Sequence, residues 1–92
     1  MNIELRFDYY SQIIFIPDEY IKNFDTLQVS FLEWVKEQPD CIIKGPDSSL
    51  ALSYDENDFV KYVNDVLLKD SREKSYLLRQ TKHVKVNRII KF

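Results

Sequence analysis

Between Pro17 and Pro39 the apolar residues Tyr20, Phe24, Leu27, Phe31, Trp34 and Val35 recur three and four positions apart. That spacing keeps one phase over residues 18–38 and predicts a helix with a wide apolar face, edged by Ile21 and Leu32. Pro17 suits the first turn, and Asp18 and Glu19 favour the positive end of the helix. Pro39 cannot continue the helix and ends it. Asp25 and Gln28 have the spacing of a second capping box, which would allow a break near Asn23. Such a face has to be covered, so Phe31 and Trp34 are expected to lie buried against a sheet.

The flanking segments carry the period of strands. Ile3, Leu5, Phe7 and Tyr9 alternate with Glu4, Arg6 and Asp8, the pattern of a half-buried strand. Residues 12–16 are apolar on both sides, which suits an interior strand, and residues 9–11 are expected to turn the first into the second. Residues 41–44 and 49–54 read as another hairpin around Gly45-Pro46-Asp47-Ser48, with Pro46 at the second turn position. A second helix follows, capped by Asp55 or Ser53. Its stripe is Phe59, Val63, Val66 and Leu67, flanked by Val60 and Tyr62.

After Asp70 two readings compete. Residues 70–73 could cap a third helix running to about Lys82, or residues 75–78 form a short strand and residues 79–85 a basic connection. A helix here would lack an apolar stripe, so the strand is preferred. Val84, Val86, Ile90 and Phe92 then alternate as a last strand, with Arg88 intruding on its apolar face. The resulting order, ββαββα(β)β, predicts a single α+β domain over residues 1–92. It would hold a mostly antiparallel sheet with two helices packed on one face.

With 45% hydrophobic and 30% charged residues and one glycine, the composition is that of a folded domain. Cys41 is the single cysteine, which excludes an intrachain disulfide and a Cys-based metal site. The first eight residues alternate charge and apolarity, unlike a signal peptide, and the run Ile13-Ile14-Phe15-Ile16 falls far short of the roughly 20 residues that span a bilayer. A cytoplasmic protein without a membrane partner is the expectation.

The net charge of −2 conceals a marked asymmetry. Residues 1–68 hold thirteen acidic and five basic side chains, and residues 69–92 hold two acidic and eight basic. The simplest expectation is that the basic end lies against the acidic remainder, since opposite charges attract at short range.

Three groups of residues invite a chemical reading. Cys41 and His83 have the residue types of a thiolate–imidazole pair, although a thiol in an apolar strand is commonly an inert core residue. Asp55, Glu56 and Asp58 are hard-cation ligands by type, but they lack the glycine and distal glutamate of a calcium loop and suit a helix start. Arg79, Lys82, His83, Lys85, Arg88 and Lys91 form a cationic cluster of the kind that holds phosphates, with Tyr76 nearby to stack on a base. The same alternation also describes a solvated strand edge guarded by lysines.

No glycine-rich phosphate loop, Ser-His-Asp order or HExxH motif is present, and no cofactor or metal is implied. Six tyrosines exceed what a small core easily absorbs. Val29 and Leu68 fall on the polar sides of the two helices, as contact residues would. The leading expectation is a non-enzymatic protein-binding module, a small regulator or inhibitor of a larger protein, of a size that suits a phage or mobile-element accessory protein. The alternative is a nucleic-acid-associated protein using residues 79–91, and the third is an enzyme built on Cys41 or His83. A homo-oligomer is compatible with all of these.

Overall fold

The computed structural model describes residues 1–17, 24–79 and 82–92. The expected helix start at Asp18, Glu19, Tyr20 and Ile21, and the break near Asn23, lie outside the described residues. Strands β1 (Asn2–Arg6) and β2 (Ser11–Phe15) form an antiparallel hairpin, pairing Ile3 with Ile14 and Leu5 with Gln12. Helix α1 (Phe24–Lys36), a 3-10 turn at Pro39–Cys41 and the hairpin β3 (Ile42–Lys44) and β4 (Leu50–Leu52) follow. Helix α2 (Glu56–Tyr62), β5 (Tyr76–Leu77) and β6 (Arg88–Lys91) complete the chain. The order of elements agrees with the sequence reading, including a short strand in place of a third helix.

Four strands make one sheet in the order β5-β2-β1-β6, in which β6 runs parallel to β1 and the other pairs are antiparallel. Residues opposite one another share a face. Ile3, Leu5, Ile14 and Ile90 therefore point the same way, and Ile16 continues the alternation. They form one buried cluster with Leu27, Phe31 and Val35 of α1 and Phe59 and Tyr62 of α2, so both helices pack on one face. Phe31 is the hub, with the rings of Trp34, Tyr54, Phe59, Tyr62 and Phe92 at 4.9–6.2 Å.

Several expectations need correction. Phe31 is fully buried but Trp34 only half so; it sits at the rim against Tyr62, as large indoles often do. β1 stops at Arg6 because Phe7 N–H donates to Tyr10 O at 2.8 Å and closes the turn, leaving Tyr9 in solvent. Cys41 belongs to the 3-10 turn and not to β3. β6 begins at Arg88, where β1 first offers a partner in Ile3, so Val84 and Val86 lie outside the strand.

The largest correction lies in α2, which continues as a π-helical segment, Val63–Leu67. Leu68 N–H reaches back five residues to Val63 O at 2.8 Å. One extra residue in the turn rotates the following side chains by roughly 100°. Leu68, expected on the polar side, is fully buried, and Val66 and Leu67, expected in the stripe, are exposed. The same segment presents Asn64, whose amide donates to Ser75 O (3.0 Å) and accepts from Ser75 N–H (2.7 Å). Ser75 Oγ in turn donates to Phe15 O at 2.7 Å. This clamp holds a two-residue β5 beside β2, where so short a strand has little pairing of its own. No helix among the described residues is long and apolar enough to cross a membrane.

Candidate functional site

β5 and β6 occupy opposite edges of the sheet, so the segment between them must cross β2 and β1. Asn2 identifies the face it crosses. Ile3 points to the helices, so Asn2 points away from them. Asn2 Nδ2 donates to Lys85 O at 3.1 Å. Asn2 N–H donates to Asn87 Oδ1 (2.8 Å), and Asn87 N–H donates back to Asn2 O (2.9 Å). Residues 82–87 of the basic connection thus form a strap across the face opposite the helices. Along it His83, Lys85 and Asn87 are exposed while Val84 and Val86 are half-buried, so one side meets the protein and the basic side meets solvent. His83 takes a left-handed backbone (φ 67°), uncommon for a residue with a side chain, and turns the strap there.

All seven residues singled out in the sequence, Tyr76, Arg79, Lys82, His83, Lys85, Arg88 and Lys91, are exposed. The fold gathers Arg79, Lys82, His83 and Lys85 on or beside the strap. Lys91 pairs with Arg6 on the strap face of the far edge. Arg88 leaves the group: it pairs with Ile3, faces the helices, and lays its guanidinium 5.4 Å from the Phe24 ring centroid. That cation–π contact explains how an arginine is accommodated on the apolar face of β6. Tyr76 stands on the opposite edge with its ring 5.2 Å from Phe15. Among the described residues the ion pair found joins Arg6 to Glu4, and none engages Arg79, Lys82, Lys85 or Lys91. The expected approach of the basic end to the acidic remainder takes the form of no ion pair from these four cations among the described residues.

A second surface was not anticipated. β3 and β4 form a ribbon outside the main sheet. Its base is anchored by buried Cys41, whose carbonyl accepts from Ser53 N–H at 2.7 Å, and by Tyr54, edge-on to Phe31 and Phe92. The tip is a turn with Ser48 N–H donating to Gly45 O at 3.1 Å and Pro46 at the second position, as expected. Asp47 accepts from Ser49 Oγ and N–H, which holds its carboxyl below the usual range. Beyond the base the ribbon is apolar and open: Ile43 is 52% exposed and Leu50 71%, and Ile42 and Leu52 are also exposed. A groove of about 310 Å³ separates Leu52, Ser53 and Tyr54 from Phe7, Asp8 and Phe92. Strands of three residues give no period, so sequence patterning had no means of showing that both faces stay exposed.

The remaining candidates resolve into structural roles. Cys41 is buried beside Trp34, Gln38, Asp58 and Lys61, on the helix side, whereas His83 is on the strap. Burial, reinforced by Asp58, pushes the thiol above its ordinary range, which disfavours the thiolate. Asp55 and Asp58 form a capping box: Asp55 accepts from Asn57 N–H (2.9 Å) and Asp58 N–H (3.2 Å), and Asp58 accepts from Asp55 N–H (3.0 Å). Among the described residues no group of three or more His, Cys, Asp or Glu side chains is placed to hold a metal ion. Tyr10 donates to Glu56 at 2.9 Å, and partial desolvation with that bond raises its phenol to about 12. Comparison with models of known families, with curated proteins and with solved structures found no match.

Proposed function

We propose that this chain is a non-enzymatic binding module whose partner is a larger protein, engaged through the β3–β4 ribbon. The observation that carries this reading is the open apolar ribbon itself. Gly45 N–H donates to Ser49 O and Ser53 N–H to Cys41 O, so the inward-bonded pairs alternate from there. Leu50 and Leu52 then turn their own N–H and C=O groups outward, along an edge with no charge and no proline. Such an edge accepts an added strand, with main-chain hydrogen bonds supplying affinity and the neighbouring apolar side chains specificity. Regulation or inhibition of the partner by occupying one of its edges follows from that mode of contact. A cytoplasmic setting suits the single, unpaired Cys41.

The test is retention of partner from nuclease-treated lysate of the source cells by wild type and by an Ile43→Asp/Leu50→Asp variant. A protein held by wild type and lost from the variant, with folding intact by circular dichroism, supports the reading. Equal retention by both would overturn it. Light scattering of the purified chain at several concentrations identifies the case in which the partner is a second copy.

A further inference from the structure

We propose that the strap face is a binding site for single-stranded nucleic acid, independent of the ribbon and of whatever the ribbon holds. Three observations converge on it. The fold carries exposed Lys82 and Lys85 of the strap and Lys91 of the far edge on the side of the sheet away from the helices, with exposed Arg79 where the connection leaves β5, and none of them has a carboxylate partner among the described residues. Glu4, which shares that face, is already taken by Arg6. Tyr76 supplies a half-exposed ring braced against Phe15 at the other edge of the same face.

The overall charge of −2 argues against such a site only if the charge is spread evenly, and it is not. Asp25, Glu33, Glu37, Asp55, Glu56, Asp58 and Asp65 all belong to the helices or their caps. Those helices pack on the opposite face, and one helix is about 10 Å across. The Debye length at physiological salt is about 8 Å, so these seven of the fifteen acidic charges are largely screened from a ligand lying on the strap. A polyanion approaching that face meets cations first.

A single strand fits better than a duplex or an acidic peptide. Four strands place the Tyr76 edge about 14 Å from the Lys91 edge, at about 4.8 Å per strand. Across that width a flexible strand can set phosphates on lysine and arginine side chains and stack one base on Tyr76, which a duplex with its bases enclosed cannot. An acidic peptide would use the cations and leave the ring without a role. Phosphate contact and stacking are sequence-tolerant, so broad recognition is expected.

The experiment is fluorescence anisotropy of the purified full chain with a labelled mixed-sequence single strand, the matching duplex, and poly-glutamate as competitor, from low to physiological salt. Four phosphate contacts predict a log–log salt slope near −3 for a single strand, at about 0.7 per contact. The triple variant Arg79→Gln/Lys82→Gln/Lys85→Gln should weaken binding at least tenfold and flatten the slope by about 2. Tyr76→Leu should weaken single-strand binding by about fivefold or more while leaving the slope unchanged, the signature of a stacking contact. These positions are exposed, and circular dichroism of each variant checks that folding is retained. The proposal is overturned by an unchanged slope in the triple variant, by equal affinity for the duplex, or by poly-glutamate displacing the strand at equal charge. Those last two outcomes would assign the face to general polyanion attraction or to an acidic protein. Since the ribbon is untouched in every variant, neither result bears on the ribbon reading.

Discussion

The two hairpins are built from similar apolar residues and meet opposite fates. In β1–β2 the side chains of Ile3, Leu5 and Ile14 are fully buried, because β5 and β6 flank the pair and two helices cover it. In β3–β4 Ile43 and Leu50 stand in solvent, because no strand among the described residues extends the ribbon and its packing ends near Cys41 and Tyr54. Apolar content alone therefore does not decide burial. A two-stranded ribbon is marginal by itself, and this one persists by being tied at its base to a core it does not help to form.

The contrast can be broken by truncation, beginning where the effect is largest. Ile14→Ala should cost about 2–5 kcal/mol, a large part of the stability of a domain this size, read as a drop in urea midpoint at unchanged m-value. A loss below 1 kcal/mol would mean that the main hairpin is no better packed than the ribbon. Leu68→Ala should fall in the same range, whereas Val66→Ala, two positions earlier, should fall well below it. The reverse ranking would remove the π-helical turn and restore an unbroken α2 stripe.

Asp55→Ala should cost about 1 kcal/mol, because it takes an acceptor from the free N–H groups of Asn57 and Asp58. Asp55→Asn should recover most of that loss, and failure to recover would point to a role for the charge itself. The smallest effect is expected in the ribbon: Ile43→Ser and Leu50→Ser should each shift stability by no more than about 0.5 kcal/mol. A cost comparable to that of Ile14→Ala would show that the ribbon is buried in solution, in a dimer or against the body. Chemical denaturation at two protein concentrations separates those cases.

Much of the fold was legible because its signals are local. Period-two alternation marked β1, the helical face of Phe24, Leu27, Phe31 and Val35 marked α1, and the acidic cluster at Asp55 marked the start of α2. The missing stripe after Asp70 correctly favoured a strand. The π-helical turn was not legible: it depends on the pull of the core on Leu68 and on the clamp between Asn64 and Ser75, eleven residues apart. Nor was the departure of Arg88 from the basic cluster, since a contact with Phe24 joins residues far apart in the chain.

The candidate surfaces divide along the same line. Sequence by itself determined the order of elements, the acidic cap of α2, and the separation of acidic from basic residues along the chain, because propensity, periodicity and charge are properties of neighbouring residues. Tertiary structure alone decided that the basic segment crosses the face away from the acidic helices, and that Ile43 and Leu50 stay in solvent while Leu68 does not. Each of those outcomes depends on which strands pair and which face the helices cover, and strand pairing is set by contacts between residues distant in sequence.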